Sequence, residues 1–301
     1  MDRGITAIEG ILVGHWTNEE AKTGCTAILC PKGAVAGVDV RGAAPGTRET
    51  DLLRGYNLVD RIHAVMLSGG SAYGLDAASG AMQYLEEQGV GVDVGVGVVP
   101  IVPAAVIFDL AVGSPSVRPG KKEGYAACAA ASSEALLSGR VGAGTGATVG
   151  KSFGLALCMP GGIGSSCIEL PGGILVTALA VVNAVGDIYD HHTGKLLAAA
   201  KKDGVMMPCL DHLNELSQIL VGTNTTLGVI ATNAALTREE ANKMASIAHD
   251  GLALSIRPVH TMMDGDTIFA LSTGERRRFS FQSLLAAATE AMALAVEHAF
   301  V

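Results

Sequence analysis

The hydrophobic pattern of the first third of the chain mixes short β-rich runs with one clear helix. Residues 26–42 (TAILCPKGAVAGVDVRG) predict a hairpin, because two β-rich runs flank the Pro31-Lys32-Gly33 turn. Residues 46–60 predict a helix capped by Thr47, with acidic residues in its first turn. Residues 63–89 predict a buried strand, a Gly/Ser turn and a helix.

The remainder alternates strands and helices without a strict βαβ order. An Ala-rich helix is predicted over 123–139, a long central strand over 175–190 and a polar surface connection over 191–223. Four more elements are predicted: a strand over 226–234, a helix capped by Thr237 over 237–256, a strand over 266–273 and a helix over 280–299. With no repeat and no break in composition, the pattern predicts one layered α+β domain over 1–301.

Composition indicates an interior built from small aliphatic side chains. Hydrophobic residues make up 49% of the chain but aromatic residues only 4%, and 39 of the 301 residues are glycine. Such an interior suits close packing of helices on sheets. Only 17% of the residues are charged. So much aliphatic surface favours burial between subunits, so we expect a homo-oligomer.

Charge and cysteine usage exclude several classes of partner. The net charge is -8 and the longest basic run is Arg276-Arg277-Arg278, so there is no basic stripe for nucleic acid. The first residues lack a signal-peptide pattern, and prolines and aspartates interrupt the most apolar stretch, 90–112. Six cysteines without a CxxC pair indicate reduced thiols. We expect a cytoplasmic protein that binds neither membranes nor nucleic acid.

The glycine-rich loop 139–152 (GRVGAGTGATVGKS) falls short of a nucleotide-binding motif. A P-loop would require glycine where Thr145 stands. A dinucleotide fingerprint would require a strand before the loop, where an Ala-rich helix is predicted instead. We therefore predict no cofactor, and interpret the segment as a close-packed loop from which Lys151 delivers a cation to a pocket.

Two groups of metal-type side chains occur: His191-His192, and the set His249, His260, Asp264 and Asp266. Neither has the i, i+4 histidine spacing of a helical zinc site, and the chain has no HExxH motif. We therefore predict no metal. His249, near the end of a predicted helix, is interpreted as a cation at the negative end of the helix dipole.

The stretch VGTNTTLGVIATNAAL (221–236) sets two adjacent threonines directly against an apolar run. Taken alone, a turn followed by a strand is the simpler interpretation, since threonine favours both. The stretch also permits specific chemistry. If the Asn224–Thr225 bond were cut, Thr225 would carry an α-amine of pKa about 7.7–8.0 beside its own hydroxyl. That amine can take the hydroxyl proton near neutral pH.

Longer motifs resemble the P1 peptidase family, which includes DmpA-type L-aminopeptidase/D-esterases, β-aminopeptidases and nylon (6-aminohexanoate) oligomer hydrolases. GTNTTLGVIATNAALTREEA and RPVHTMMDGDTIFALSTG carry the resemblance. RGAAPGTRETDLL, LSGGSAYGLDAASG, GRVGAGTGATVGK and AVVNAVGD precede them in the family's order. The resemblance covers nearly the whole chain. It implies an αββα sandwich and a precursor that cleaves itself before a Ser or Thr, which then becomes an N-terminal nucleophile.

By motif, the resemblance implies that Thr225 is the nucleophile and that Asn224 ends the larger of two fragments, 1–224 and 225–301. The remaining residues that it implies are Asp264, Asp266, Asn183 and Lys151. These residue types suit the chemistry. An asparagine amide on a central strand can donate to an oxyanion, a contact worth about 3 kcal/mol. Two acids in a D-x-D arrangement point the same way and can hold an ammonium and a hydroxyl.

We expect substrates that are peptides, amino-acid amides or short aliphatic oligoamides with a free amino end, the last because Asp264 and Asp266 would make the pocket acidic. The resemblance also leads us to expect a tetramer of processed heterodimers. One residue departs from the pattern: Phe108 stands where relatives often carry tyrosine, so the substrate class could differ. Two alternatives stay open. One is an acyltransferase of the ornithine acetyltransferase type, and the other is an uncleaved, inactive binding or scaffold protein.

Overall fold

A nine-stranded mixed sheet is the framework of the computed structural model, which describes residues 4–215 and 223–300. In chain order its strands are β1 (Leu12–Asn18), β2 (Thr23–Val40), β3 (Thr47–Arg48), β4 (Arg61–Ser68), β5 (Ala104–Val106), β6 (Gly162–Leu170), β7 (Ile174–Asn183), β8 (Thr225–Ala234) and β9 (Thr267–Arg276). The α-helices in the described ranges are α1 (Ala77–Glu87), α2 (Lys121–Ala129), α3 (Arg238–Ser255) and α4 (Phe281–Glu297).

Shorter pieces connect these elements. The described ranges also contain small strands at Val92–Asp93, Val98–Val99, Thr148–Val149, Met159–Pro160, Asp187–Tyr189, Leu196–Ala198, Ala200–Lys202, Val205–Met207 and Ile256–Arg257. Short 3-10 turns include Ser71–Asp76 before α1 and Gly142–Gly144 in the glycine-rich loop. None of the helices in the described ranges combines the length and the apolar character needed to cross a bilayer.

The strand order is β6-β7-β8-β9-β2-β4-β5-β3, and β1 pairs with the first half of β2. Two neighbouring pairs are parallel, β8 with β9 and β4 with β5, and the others are antiparallel. In the β8–β9 pair Leu227 lies opposite Thr267. Because the two strands run in the same direction, the segments that lead into them also lie side by side.

The predicted hairpin over 26–42 is wrong: residues 26–40 belong to the single long strand β2, which ends at Val40. Pro31-Lys32-Gly33 forms an irregularity within the strand instead of reversing it, with Gly33 at φ +76°. Leu29 pairs with Ala64 and Ala34 pairs with Ile62, so β2 has more residues than β4 between these two pairs. The additional residues of β2 form a bulge. A bulge of this kind bends a strand. The first half of β2 therefore pairs with β4 and the second half with β9.

Side chains on the two faces of this bent sheet form three apolar cores. One core lies between α3–α4 and the β6–β9 half, a second lies between the two halves of the sheet, and a third lies between the β2–β4 half and α1–α2. Alternate residues of one strand serve different cores: Ala178 and Ala180 face the helices, whereas Leu179 and Val181 face the other half. The layers are helix, sheet, sheet, helix, which confirms the expected αββα sandwich.

Glycines let the helices approach the sheet closely, as the small-residue composition predicts. A Cβ on Gly37 of β2 would lie 2.3 Å from the backbone nitrogen of Asn242 in α3. A Cβ on Gly164 of β6 would lie 2.2 Å from the carbonyl oxygen of Ala295 in α4. Since backbone atoms cannot rotate away, any side chain at these positions would push the helix off the sheet.

Several other sequence predictions hold and some fail. Thr237 caps α3 through a capping box with Glu240, as predicted. The helix expected over 46–60 is wrong, because Thr47 pairs with Ala105 in a short strand. Two elements end early: the predicted helix 123–139 stops at Ala129, and the predicted strand 175–190 breaks after Asn183. The connection 191–223 carries small strands, and residues 216–222 lie outside the described residues.

Replacing Gly37 with alanine is expected to destabilise the folded protein by about 1–3 kcal/mol, because the new methyl would collide with the α3 backbone. Urea unfolding followed by circular dichroism measures this change. Gly120→Ala is the matched control, since a Cβ there meets its nearest neighbour, a side-chain oxygen, at 3.4 Å. Equal losses in the two variants would contradict the close approach of α3.

Candidate active site

The segments that lead into the parallel strands β8 and β9 meet at the edge of the central sheet. Asn224 and Asp264 form an isolated parallel bridge just before the two strands begin. The backbone N–H of Gly265 donates to the carbonyl oxygen of Asn224 at 2.9 Å. The strand pairing thus places an N–H donor on the carbonyl of the Asn224–Thr225 peptide bond.

Thr225 is the first residue of β8 and is only 4% exposed. Its hydroxyl donates a hydrogen bond back to the carbonyl oxygen of Asn224, so Oγ1 lies against the peptide bond that precedes it. Gly265 packs closely against the Thr225 hydroxyl. A Cβ at Gly265 would lie 2.8 Å from Thr225 Oγ1 and 2.6 Å from the carbonyl oxygen of Ala44. Only glycine fits between the hydroxyl and that neighbouring backbone.

Asp266 is anchored by three donors. One carboxylate oxygen, Oδ1, accepts the backbone N–H of Thr226 at 2.6 Å. The other, Oδ2, lies 2.7 Å from His260 Nδ1 and accepts the His260 backbone N–H at 3.1 Å. His260 holds a left-handed backbone conformation at φ +57°. The carboxylate therefore fixes the start of β8 beside Thr225, and sequence reasoning missed His260 as its support.

Asp264 is also buried, and its surroundings change its acidity. Its Oδ2 accepts the backbone N–H of Thr261 at 2.9 Å and the Thr261 hydroxyl at 2.5 Å. Burial, and then the charge of Asp266, raise the pKa of Asp264 to about 6, while the Thr261 hydrogen bonds and Lys151 act in the opposite direction. The carboxyl group thus changes its charge close to neutral pH.

Lys151 and Asn183 form a buried hydrogen-bond network beside the start of β8. Lys151 Nζ donates to the backbone and side-chain oxygens of Asn183, both at 2.9 Å, and to the carbonyl oxygen of Thr223 at 3.4 Å. Asn183 Nδ2 donates to the carbonyl oxygens of Thr223 at 3.4 Å and of Phe108 at 3.3 Å. In the β7–β8 register Asn183 lies directly opposite Thr225.

The ammonium of Lys151 is fully enclosed, with 1% of the residue exposed. Burial lowers the pKa of Lys151 to about 7, and the charges of Cys158 and Asp264 only partly oppose this effect. An ordinary lysine would remain charged well above this pH. Lys151 can therefore exchange a proton near neutrality.

The glycine-rich loop is close-packed, as its sequence indicates. The N–H of Gly142 donates to the Thr17 hydroxyl at 2.8 Å and that of Ala143 donates to the Thr26 hydroxyl at 3.0 Å. These amides are therefore occupied by side chains, whereas a P-loop leaves its amides facing the phosphates. The loop instead delivers Lys151 to the edge of the sheet.

Thus Thr225, Asp264, Asp266, Asn183 and Lys151, which are far apart in the sequence, meet at one end of β7, β8 and β9. Sequence reasoning missed the N–H of Gly265. The glycine in Asp-Gly-Asp marks the position in the sequence, but only the parallel register of β8 and β9 shows that its N–H meets the Asn224 carbonyl.

The interpretation of His249 as a helix-end cation is wrong. The residue is completely buried in α3, and burial lowers its pKa to about 4, so the ring is neutral. Its Nε2 lies 3.1 Å from the carbonyl oxygen of Asp39, and its ring centroid lies 4.8 Å from that of His260. His249 therefore supports the residue that holds Asp266.

Comparison with known proteins agrees with this geometry. The profile of peptidase family S58 matches residues 3–301, so the chain belongs to this family and is a hydrolase that acts on amide bonds. The family resemblance drawn from the motifs is thereby confirmed.

Among curated relatives, an uncharacterized aminopeptidase of Mycobacterium bovis is 45% identical over 287 residues, covering 90% of this chain and 81% of the relative. A 6-aminohexanoate-oligomer endohydrolase of a Kocuria species is 35% identical over 272 residues, covering 88% and 74% respectively.

Solved structures show the same fold. A Burkholderia β-aminopeptidase superposes with a TM-score of 0.73 at 20% identity, covering 99% of this chain and 86% of that chain. The L-aminopeptidase D-Ala-esterase/amidase of Ochrobactrum anthropi, described as a variant of the Ntn hydrolase fold, gives 0.71 at 19% identity, covering 99% and 85%. The αββα arrangement is therefore that of the Ntn-hydrolase aminopeptidases.

Because the pKa of Asp264 is raised in the folded protein, the stability of the protein should depend on pH. The unfolded carboxyl group ionises near 3.8 and the folded one near 6, so the folded chain binds more protons between these pH values. Stability contributed by this group is therefore present at low pH and is lost as pH rises through that window. Asp264→Asn is expected to raise the unfolding temperature, relative to the parent, more at pH 7 than at pH 4.

Differential scanning fluorimetry across this range measures the effect, in chains that also carry Thr225→Ala so that the neighbouring hydroxyl takes no part. Asp51→Asn is the control, because that side chain is 88% exposed. A difference between Asp264→Asn and its parent that stays constant from pH 4 to pH 7 would show that the carboxyl group is not desolvated.

Proposed function

We propose that this protein cleaves its own Asn224–Thr225 bond and then works as an amide hydrolase with Thr225 as its N-terminal nucleophile. Cleavage would give fragments 1–224 and 225–301, the second of 301 − 224 = 77 residues. The observation that carries the proposal is the contact of Thr225 Oγ1 with the Asn224 carbonyl, whose oxygen also accepts the Gly265 N–H.

The first step is an N-to-O acyl shift within the chain. Thr225 Oγ1 attacks the carbonyl carbon of Asn224, and its proton passes to Asp264 as the carboxylate. The negative charge on the carbonyl oxygen is stabilised by the Gly265 N–H, which is already in place at 2.9 Å. The C–N bond then breaks, and the Asp264 carboxyl group passes that proton on to the Thr225 nitrogen. An ester between Asn224 and Thr225 Oγ1 remains.

Water hydrolyses this ester in the second step. The water oxygen adds to the Asn224 carbonyl carbon, the C–Oγ1 bond breaks, and the proton that the water loses passes to Thr225 Oγ1. The products are an Asn224 carboxylate and a free threonine amino terminus. This amine, of ordinary pKa about 7.7–8.0, becomes the base for the hydroxyl on the same residue. Every later turnover can therefore use Thr225 without a histidine.

During turnover, the carbonyl of a substrate amide replaces that of Asn224. The Gly265 N–H and the side-chain amide of Asn183, opposite Thr225 in the sheet, would supply donors to the developing oxyanion. Losing one such donor typically costs about 3 kcal/mol in the transition state. Lys151, held on Asn183 at 2.9 Å, orients that amide and adds positive charge while it is protonated.

Asp264 and Asp266 would then hold the ammonium of Thr225. The same two acids would make the substrate pocket acidic, which favours a positively charged substrate end. We therefore propose substrates with a free amino end: peptides, amino-acid amides or short aliphatic oligoamides. The relatives named as aminopeptidases and 6-aminohexanoate-oligomer hydrolases support this range. Phe108 contributes its carbonyl oxygen to Asn183, so the missing tyrosine hydroxyl leaves that backbone contact unchanged.

We further propose that the processed protein is a cytoplasmic homo-oligomer, a tetramer of heterodimers. Large apolar side chains on the surface support an assembly: Leu58 is 95% exposed, Val96 97% and Tyr56 82%. Buried thiols support a reducing compartment, since four of the six cysteines lie in the interior.

Thr225→Ala is expected to abolish the split, because no hydroxyl remains to attack Asn224. Denaturing gels and intact mass spectrometry report the two fragments. Thr226→Val is the matched control: within the described part of the chain the Thr226 hydroxyl is buried without a hydrogen-bond partner, so its loss should leave processing intact. A second chain beginning at residue 225 in the Thr225→Ala protein would exclude the proposed nucleophile.

Self-cleavage should accelerate as pH rises from 5 to 7, with a midpoint near 6, because the Asp264 carboxyl has a pKa of about 6 and must be ionised to accept the hydroxyl proton. Asp264→Asn should be slow and insensitive to pH in this range. Rates are measured from the intact-chain band over time.

Asp250→Asn is the control for this profile, since that exposed carboxylate pairs with Arg41 on the surface. It should process with the parental pH dependence. If the self-cleavage rate of Asp264→Asn showed the same pH dependence as the parent, Asp264 would not be the base, and another group would have to accept the proton.

A further inference from the structure

A second cluster of chemically active side chains joins α4 to the turn that follows the small strand Asp187–Tyr189. His191 Nε2 lies 3.0 Å from Glu290 Oε2, and His192 Nε2 lies 2.9 Å from Glu290 Oε1. One carboxylate therefore faces two imidazoles whose ring centroids are 3.9 Å apart. The three potential ligand atoms lie within 4.8 Å of one another. None of these residues takes part in the proposed amide hydrolysis.

We propose that His191, His192 and Glu290 form a zinc-binding site. Two imidazole nitrogens and one carboxylate oxygen are a ligand set that Zn²⁺ accepts, with a fourth position left for water. Sequence reasoning dismissed the adjacent histidines because their spacing is not that of a helical site. The fold supplies the third ligand from Glu290, 98 residues away in the chain.

The spacing of the ligand atoms fits a zinc ion after a small movement. Ligands about 2.0–2.2 Å from a tetrahedral zinc lie roughly 3.3 Å from each other. The present nitrogen-to-oxygen distances of 2.9 and 3.0 Å are somewhat shorter. His192 can provide the change, because its side chain is 64% exposed and lies in a turn. The site opens to solvent on that side, so an ion can enter.

The contacts on the buried side of the cluster also support zinc binding. The His191 side chain is 6% exposed, and its other ring nitrogen, Nδ1, lies 2.5 Å from Glu297 Oε1. Ser255 of α3 donates to the same oxygen at 2.8 Å. Zinc-bound histidines usually give their second nitrogen to a carboxylate in this way, which fixes the tautomer and the ring. Here a carboxylate–histidine pair already aims Nε2 at Glu290.

The test uses untagged protein freed of metal by chelator, titrated with Zn²⁺ alone in a calorimeter. One ion is expected to bind per chain and to raise the unfolding temperature, because the ion ties the turn to α4. Co²⁺ in place of Zn²⁺ should give visible d–d absorption typical of a low-coordinate nitrogen–oxygen site. Mg²⁺ should not compete, since it prefers all-oxygen ligands.

Two variants and a control make the result specific. His192→Ala, at an exposed position that should not affect folding, should lose stoichiometric zinc binding and the thermal shift. Glu297→Gln, which keeps the ligands but weakens the support of His191, should reduce affinity about 10–100-fold. His212→Ala, which removes a half-buried imidazole packed on Phe153, should bind as the parent does. No saturable binding by the parent, or undiminished binding by His192→Ala, would overturn the proposal.

Discussion

The candidate active site depends on one structural constraint, the parallel pairing of β8 with β9. Since the strands run in the same direction, the residues that precede each of them meet at the same edge. The pairing brings the Gly265 N–H onto the Asn224 carbonyl and leaves no room for a side chain at 265. An antiparallel pair in this position would place those segments at opposite ends of the sheet.

The same edge is where buried charge accumulates. Lys151 and Asp264 are both buried, and burial moves the pKa of the lysine down and that of the acid up until both lie near neutrality. Keeping such groups in the interior costs folding free energy, which the three aliphatic cores must offset. Buried residues with shifted pKa values are common at catalytic sites because proton exchange near pH 7 requires them.

Sequence patterns predicted much of this fold and named the residues that the structure brings together at the candidate site, but not the contacts between them. The amphipathic helices and β8 were recognisable because capping residues and apolar runs mark them locally. The prediction of a hairpin at Pro31 was wrong because bulges and turns use the same residue types. Only the pairing of β2 with β4 distinguishes the two. The charge of His249 depends on burial by distant residues. The Asn224–Gly265 contact likewise depends on strand register, which no local pattern encodes.

Under the proposed mechanism, each chain opens its own backbone at Thr225 without help from a second molecule. The most direct measurement follows newly made full-length chain, synthesised in a cell-free system with protease inhibitors and diluted over a wide range of concentrations. We expect the same half-time at every dilution and a new amino terminus at Thr225. A rate that falls on dilution, or cleavage at another bond, would contradict it.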